Sequence, residues 1–236
     1  MDTQTEITGS ALPRHIGIIM DGNGRWAKKR MLPRTAGHAQ GAKAFRKCLR
    51  HCIDLGIECV TFYAFSTENW KRPKDEVDAI MKLFADYLDE GLSMSERDVV
   101  MRFIGDPEPL SDRLRDKMSE LERLTAGNSG TVCCLAVNYG GRDDILHAVK
   151  GLLKENADPA ALTEDALSGR LYTAGLPDVD LIIRPSGEQR LSNFLIWQAA
   201  YAEYVFMDVL WPDFTEKDLD LAIEEYARRN RRFGGL

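Results

Sequence analysis

Apolar residues along this chain gather into short runs, separated by longer segments whose apolar positions recur at helical spacing. Six runs read as strands: residues 15–20, 59–65, 99–104, 131–137, 179–183 and 204–209. Most are unbroken Val, Ile, Leu and Phe stretches rather than in/out alternations, the pattern of strands buried on both faces. Between and after them, residues 36–55, 73–92, 108–125, 142–156, 192–202 and 215–229 read as helices. In the second of these, Val77, Ile80, Met81, Phe84 and Leu88 share one face, Asp75, Asp78, Lys82, Asp86 and Asp89 face away, and Pro73 opens the segment. That spacing predicts an amphipathic helix packed on a sheet. The alternation predicts an α/β fold: one domain with a mostly parallel six-stranded sheet, flanked by helices and joined by right-handed crossovers.

Length and composition agree. A chain of 236 residues can bury roughly 70% of its unfolded surface. The net charge of −6 leans away from a nucleic-acid partner. Two basic clusters stand out: Arg25, Lys28, Lys29, Arg30 and Arg34, and then Arg228, Arg229, Arg231 and Arg232. Each reads either as a solvated helix face or as a site for a small anion. The five cysteines form no CxxC pair and read as small buried hydrophobes in a reducing compartment. A zinc site from His51, Cys48 and Cys52 is disfavoured, because no second ligand pair follows. The first dozen residues are polar, and no apolar stretch approaches the ~20 residues a membrane helix needs. The expectation is a cytoplasmic protein with a flexible segment over residues 1–12 and one domain over residues 13–236. Residues 125–130 and 157–163 are the other expected flexible stretches.

Candidate chemistry gathers after the strands, where open parallel sheets bind ligands. Asp21-Gly22-Asn23-Gly24-Arg25-Trp26 follows the first, and Ser66, Glu68, Asn69, Trp70 and Arg72 the second. Asn138-Tyr139-Gly140-Gly141-Arg142 follows the fourth; Arg184, Ser186, Gly187, Glu188, Arg190, Ser192 and Asn193 follow the fifth. Glycines around Asn23 let backbone N–H groups approach an anion. Arg25 and Arg34 can grip phosphate oxygens in bidentate fashion. Asp21 can hold Mg²⁺ through one carboxylate plus substrate phosphates. Read singly, Gly22-Asn23-Gly24 is also a turn, and Asp21 and Ser192 are also helix N-caps. Arg184, Arg190 and Ser192 form a second candidate phosphate site. The chain has no Walker-type loop, no GxGxxG opening its first helix, no GxSxG and no pair of DDxxD boxes.

These segments together resemble the cis-prenyltransferases, the undecaprenyl diphosphate synthase family. The resemblance is carried by residues 15–27 around Asp21-Gly22-Asn23-Gly24-Arg25-Trp26, by Gly37-His38 with Gly41, by residues 63–73, by Asn138-Tyr139-Gly140-Gly141-Arg142, by residues 184–194, by Ala200-Tyr201-Ala202-Glu203, by Trp211-Pro212-Asp213-Phe214 and by Arg232-Phe233-Gly234. It runs from about residue 12 to the end. It implies an enzyme that condenses isopentenyl diphosphate with an allylic diphosphate, farnesyl diphosphate being the expected starter and undecaprenyl diphosphate, a cell-wall lipid carrier, the expected product. It further implies that Asp21 binds Mg²⁺ and assists departure of the allylic diphosphate. Gly22, Asn23, Gly24, Arg25, Trp26, Arg34 and His38 would cradle that diphosphate, and Arg184, Arg190 and Ser192 would hold isopentenyl diphosphate. Glu203 would also bind Mg²⁺. Ser66, Thr67, Glu68, Asn69, Trp70 and Arg72 would lie near the reacting carbons, with Asn69 helping proton loss.

By the same resemblance, the helix of Ile80 and Phe84 lines a hydrophobic tunnel for the product, and the chain forms a homodimer to which Arg232–Gly234 contribute. Whether the enzyme touches a membrane to release product is left open. Pro185 departs from the family's more frequent Thr and removes a backbone N–H beside Arg184. Two rivals are a non-catalytic partner subunit, which would lack Asp21 and the glycine nest, and a nucleotide-binding phosphotransferase, which would carry a Walker lysine.

Overall fold

The apolar runs become six parallel strands, in a computed structural model that describes residues 12–93 and 98–229. They are β1 (His15–Ile19), β2 (Cys59–Ser66), β3 (Val99–Ile104), β4 (Thr131–Tyr139), β5 (Leu181–Arg184) and β6 (Glu203–Phe206). Their order in the sheet is β3-β4-β2-β1-β5-β6, and every pairing is parallel. The chain first builds outward from β1 on one side and then crosses to build β5 and β6 on the other. The carboxyl ends of β1 and β5 therefore flank the switch in direction, where an α/β sheet leaves a crevice.

The helices are α1 (Asn23–Lys29), α2 (Arg34–Asp54), α3 (Lys74–Ser93), α4 (Asp112–Thr125), α5 (Gly141–Lys154), α6 (Glu164–Ser168) and α7 (Glu216–Arg228). Alternate strand residues feed two cores, as the pleat requires. On one face Ile16, Ile18, Phe62 and Leu135 pack with Phe45 of α2, Leu114 of α4 and Ile223 of α7. On the other, Ile19, Tyr63, Ala136 and Ile182 pack with Phe194, Leu195 and Ala199.

The expected helix over residues 192–202 is replaced by a chain of turns. Ser192, Asn193 and Leu195 have φ of 50°, 65° and 43°, which no helical ladder accommodates. The reason is tertiary. Asn193 gives its carbonyl to the Gly141 N–H at 2.7 Å, its side-chain oxygen to the Arg142 N–H at 2.9 Å and its amide to Glu68 at 3.1 Å. These bonds outcompete a local helix. Strand ends also move. β5 starts at Leu181, and β6 ends at Phe206 because Met207 and Val209 turn their carbonyls to the N–H groups of Gly187 and Ser186. α4 starts at Asp112, after a turn in which the Leu110 N–H reaches the Pro107 carbonyl.

Helix α1 was hidden from the pattern by Gly24 within it and Gly22 just before it. Its N-cap is Gly22, at φ 111°, so Asp21 is not a cap. The expected flexible segment 1–12 lies outside the described residues apart from Leu12, as does Arg232–Gly234. Residues 125–130 turn between α4 and β4, with the Asn128 amide donating to the Val99 carbonyl at 2.8 Å. All five cysteines are buried thiols, and burial raises Cys59 and Cys134. His51 instead pairs with Asp220 at 2.6 Å.

Candidate active site

The carboxyl end of β1 delivers Asp21 and the end of β5 delivers Arg184. Ile18 is in register with Ile183, so the two side chains meet at the crevice. Arg184 is 3% exposed and donates to Asp21 Oδ2 at 2.9 Å. Ser186 donates to the same oxygen at 3.0 Å, and Arg25 at 3.2 Å. Burial pushes the Asp21 carboxyl up, but the bonds from Arg184 and Ser186 and the positive charge of Arg184 and Arg25 outweigh it and hold the group below its ordinary value. Asp21 is therefore ionised at neutral pH. Its Oδ1 accepts no hydrogen bond among the described residues.

Two further carboxylates hold the remaining cations. Glu188 bridges Arg25, at 3.1 Å, and Arg190. Glu76 is 6% exposed and takes Arg34 at 2.8 Å and Arg72 at 3.0 Å. His38 Nε2 stands 3.5 Å from the same carboxylate, too far for a well-formed hydrogen bond. It is a buried polar atom without a hydrogen-bond partner, as are Asn23 Oδ1 and Arg184 Nε. Such orphans are costly unless a ligand completes them. Arg184 Nη1 also donates to Ser192 Oγ at 2.8 Å and to the Arg190 carbonyl.

Close helix packing makes the nest. A Cβ on Gly37 would lie 2.1 Å from the Asn23 carbonyl oxygen, and one on Gly41 would lie 2.3 Å from Asn23 Oδ1. Only glycine at both positions lets α2 run this close beneath Asn23.

A cavity of about 830 Å³ opens here. Of the residues singled out in the sequence, Asp21, Asn23, His38, Ser66, Glu68, Asn69, Arg72, Arg184, Arg190 and Ser192 line its polar part. Phe45, Ile80, Leu83, Phe84, Tyr87 and Leu135 line its apolar part. On α3 the spacing thus divides: Val77 and Leu88 are buried in the core, whereas Ile80 and Phe84 reach the cavity. Gly24, Arg25 and Arg34 border an adjoining surface groove.

Other expected residues stand back. Trp26 donates from Nε1 to Asp213 at 2.7 Å and lies under Arg30. Trp70 donates to Asn138 at 2.8 Å. Asn69, by contrast, lines the cavity while its side-chain oxygen accepts from the Ser66 N–H at 3.1 Å, closing a capping box. Thr67 and Gly22 do not line the cavity. Glu203 is not brought to this site. It lies in register with Leu181, three residues before the partner of Arg184, or about 10 Å along the strand, and its carboxylate holds Arg229 at 3.0 Å. Ser186, Arg142 and Asn193 were noted in the sequence without an assigned role, and Glu76 was missed. The first three stood after strands in the sequence, but Glu76 carried no signal apart from its helix.

The donor set fits a hard divalent cation held by one carboxylate and by substrate oxygens, with Asp21 as the protein's contribution. Among the described residues, no three His, Cys, Asp or Glu side chains form an all-protein cage. No helix of the described residues is long and apolar enough to cross a membrane.

Residues 19–234 match the prenyltransferase family described as "Putative undecaprenyl diphosphate synthase". The isoprenyl transferase of Clostridium tetani is 49% identical over 230 residues, covering 95% of this chain and 90% of that protein. The (2E,6E)-farnesyl-diphosphate-specific ditrans,polycis-undecaprenyl-diphosphate synthase of Xanthomonas campestris pv. campestris is 47% identical over 235 residues, covering 98% of this chain and 91% of that protein. Among solved structures, lavandulyl diphosphate synthase from Lavandula x intermedia, in complex with dimethylallyl diphosphate, superposes with a TM-score of 0.91 at 36% identity, covering 96% of this chain and 100% of that one.

Proposed function

Because this chain belongs to the undecaprenyl diphosphate synthase family of cis-prenyltransferases, we propose that it adds isopentenyl diphosphate repeatedly to farnesyl diphosphate, with undecaprenyl diphosphate as product. The observation that carries this reading is a single cavity with two chemistries: arginines and an ionised Asp21 at one end, Ile80, Phe84 and Leu135 at the other. A diphosphate with a long apolar tail needs both.

The allylic diphosphate lies against the start of α1, with Arg25, Arg34 and His38 around its oxygens. Its arrival displaces Glu76 as the counter-charge of Arg34 and gives the buried His38 Nε2 an acceptor or donor partner. Isopentenyl diphosphate takes Arg184, Arg190 and Ser192. Asp21 would hold Mg²⁺, which supplies counter-charge for the departing diphosphate. The allylic C–O bond breaks, its electron pair leaving with the diphosphate. The isopentenyl double bond attacks that carbon, and loss of a proton sets the new cis double bond. Asn69 lies at the cavity beside Ser66 and is the candidate for assisting that proton. Fixed arginines facing the developing charge are worth several kcal/mol, and holding two reactants together adds roughly 7–11 kcal/mol. The elongated tail enters the apolar part of the cavity, where each buried CH₂ contributes about 0.8 kcal/mol.

A homodimer is part of this reading. It is supported by the edge strand β6, which exposes Phe206, and by α5, which exposes Leu146 and Leu153. Elution as a monomer in light scattering would remove it.

The test is incorporation of labelled isopentenyl diphosphate with farnesyl diphosphate and Mg²⁺. Asp21→Ala should lower turnover by about 10³-fold, the scale of a lost charge-stabilising group, and EDTA should abolish it. Undiminished incorporation by Asp21→Ala would overturn the assignment.

A further inference from the structure

The turn that closes α1 has an unusual end. The Leu32 N–H bonds to the Ala27 carbonyl at 2.9 Å, and the Met31 N–H to the Lys28 carbonyl at 3.1 Å. This is the paired pattern of a helix C-terminus whose next residue is left-handed, a place glycine normally fills. Here it is Met31, at φ 56°. Its side chain is 95% exposed, and Leu32 follows at 44%. A bulky apolar residue is thus held in a strained backbone conformation and pointed at solvent. Backbone outliers of this kind concentrate where function requires them.

The charges around it are one-sided. Every residue from Lys28 to Thr35 is exposed. Arg30 is tied to Asp213 at 3.1 Å and Arg34 to Glu76. Among the described residues, Lys28 and Lys29 have no carboxylate partner. In a chain of net charge −6, this local surplus of cation beside exposed Met and Leu complements an anionic, apolar-backed surface. The place is also suggestive. Lys28, Met31 and Leu32 line one surface groove with Gly24, Arg25 and Arg34, the residues assigned to the allylic diphosphate.

We propose that the turn of Lys28, Lys29, Met31 and Leu32 docks this protein on the anionic headgroup surface of a lipid bilayer. Lys28 and Lys29 meet lipid phosphates, and Met31 and Leu32 enter the interface. Resting on the function proposed above, the contact sets the diphosphate cradle at the membrane surface.

The experiment is sedimentation of the full chain with vesicles, without substrate, using phosphatidylcholine alone or mixed with phosphatidylglycerol. The wild-type chain should pellet with the mixed vesicles, weakly with the neutral ones, and should be released at about 1 M salt. Lys28→Gln with Lys29→Gln should weaken binding about 25-fold, about five-fold for each lysine. Met31→Gly should weaken it about ten-fold while leaving the melting temperature unchanged or higher, because glycine relieves the left-handed strain. The condensation assay runs in parallel, since neither lysine nor Met31 belongs to the catalytic or binding residues. Condensation without vesicle binding would overturn the docking alone; vesicle binding without condensation would overturn the proposed reaction alone. Equal pelleting of wild type and variants would overturn the docking, as would self-association of the wild-type chain that the lysine pair abolishes, which would make the turn an interface between copies.

Discussion

Arg184 joins the two halves of the polar rim, with one guanidinium nitrogen on Ser192 and the other on Asp21. A lysine would keep the charge but not the fork. Arg184→Lys should lower kcat/KM about 100-fold, or about 2.7 kcal/mol of transition-state stabilisation, with KM for isopentenyl diphosphate carrying part of it; steady-state kinetics at varied isopentenyl diphosphate checks this. At this scale the sequence was most legible where a short polar string follows a strand. Asp21, Arg184 and Ser192 could be placed because strand ends in a parallel sheet converge. Glu76 could not. On the helical repeat of α3 it reads as one more solvated acid beside Asp75 and Asp78, and only the approach of Arg34 from α2 and Arg72 from before α3 buries it.

Elements position these residues, and their closest approach is α2 against the start of α1. Gly41→Ala would set a methyl 2.3 Å from Asn23 Oδ1 and 3.0 Å from the Trp211 ring. The expected cost is about 1–3 kcal/mol of stability, as for other overpacked sites, with at least a ten-fold loss of turnover as the nest shifts; thermal melting and the incorporation assay read the two separately. Periodicity revealed α2, α3, α4, α5 and α7, because each buries one face. It failed over residues 192–202, where apolar spacing is helical but Asn193 spends its groups on Gly141, Arg142 and Glu68. It also missed α1, a helix of seven residues that Gly24 and the capping Gly22 disguise as a turn.

Across the whole molecule, the parallel sheet ties the site to the opposite edge. His15, at the start of β1, is fully buried, 2.7 Å from the Pro177 carbonyl and 2.7 Å from Thr61 Oγ1. The carbonyl can only accept, so Nδ1 carries the proton and Nε2 accepts from Thr61. Burial chiefly lowers the pKa of His15 below its ordinary 6.5. The unfolded chain therefore takes up a proton near pH 6.5 that the folded chain refuses, and stability falls as pH drops below that value by at most about 1.4 kcal/mol per pH unit from this group. Melting temperatures at pH 7.5 and 5.5 should show that fall, and His15→Gln, which cannot charge, should show a shallower one. The α/β class, strand count and parallel sense were legible because buried parallel strands are continuously apolar. Which side of β1 each strand joins was not, since crossover length alone does not decide it. One cavity serves both diphosphate and tail, and chain-length chromatography of products from wild type and Phe84→Ala side by side tests this. The wild-type chain should give a polyprenyl ladder and the variant a shift to longer products; identical ladders, or no ladder from the wild-type chain, would overturn the shared cavity.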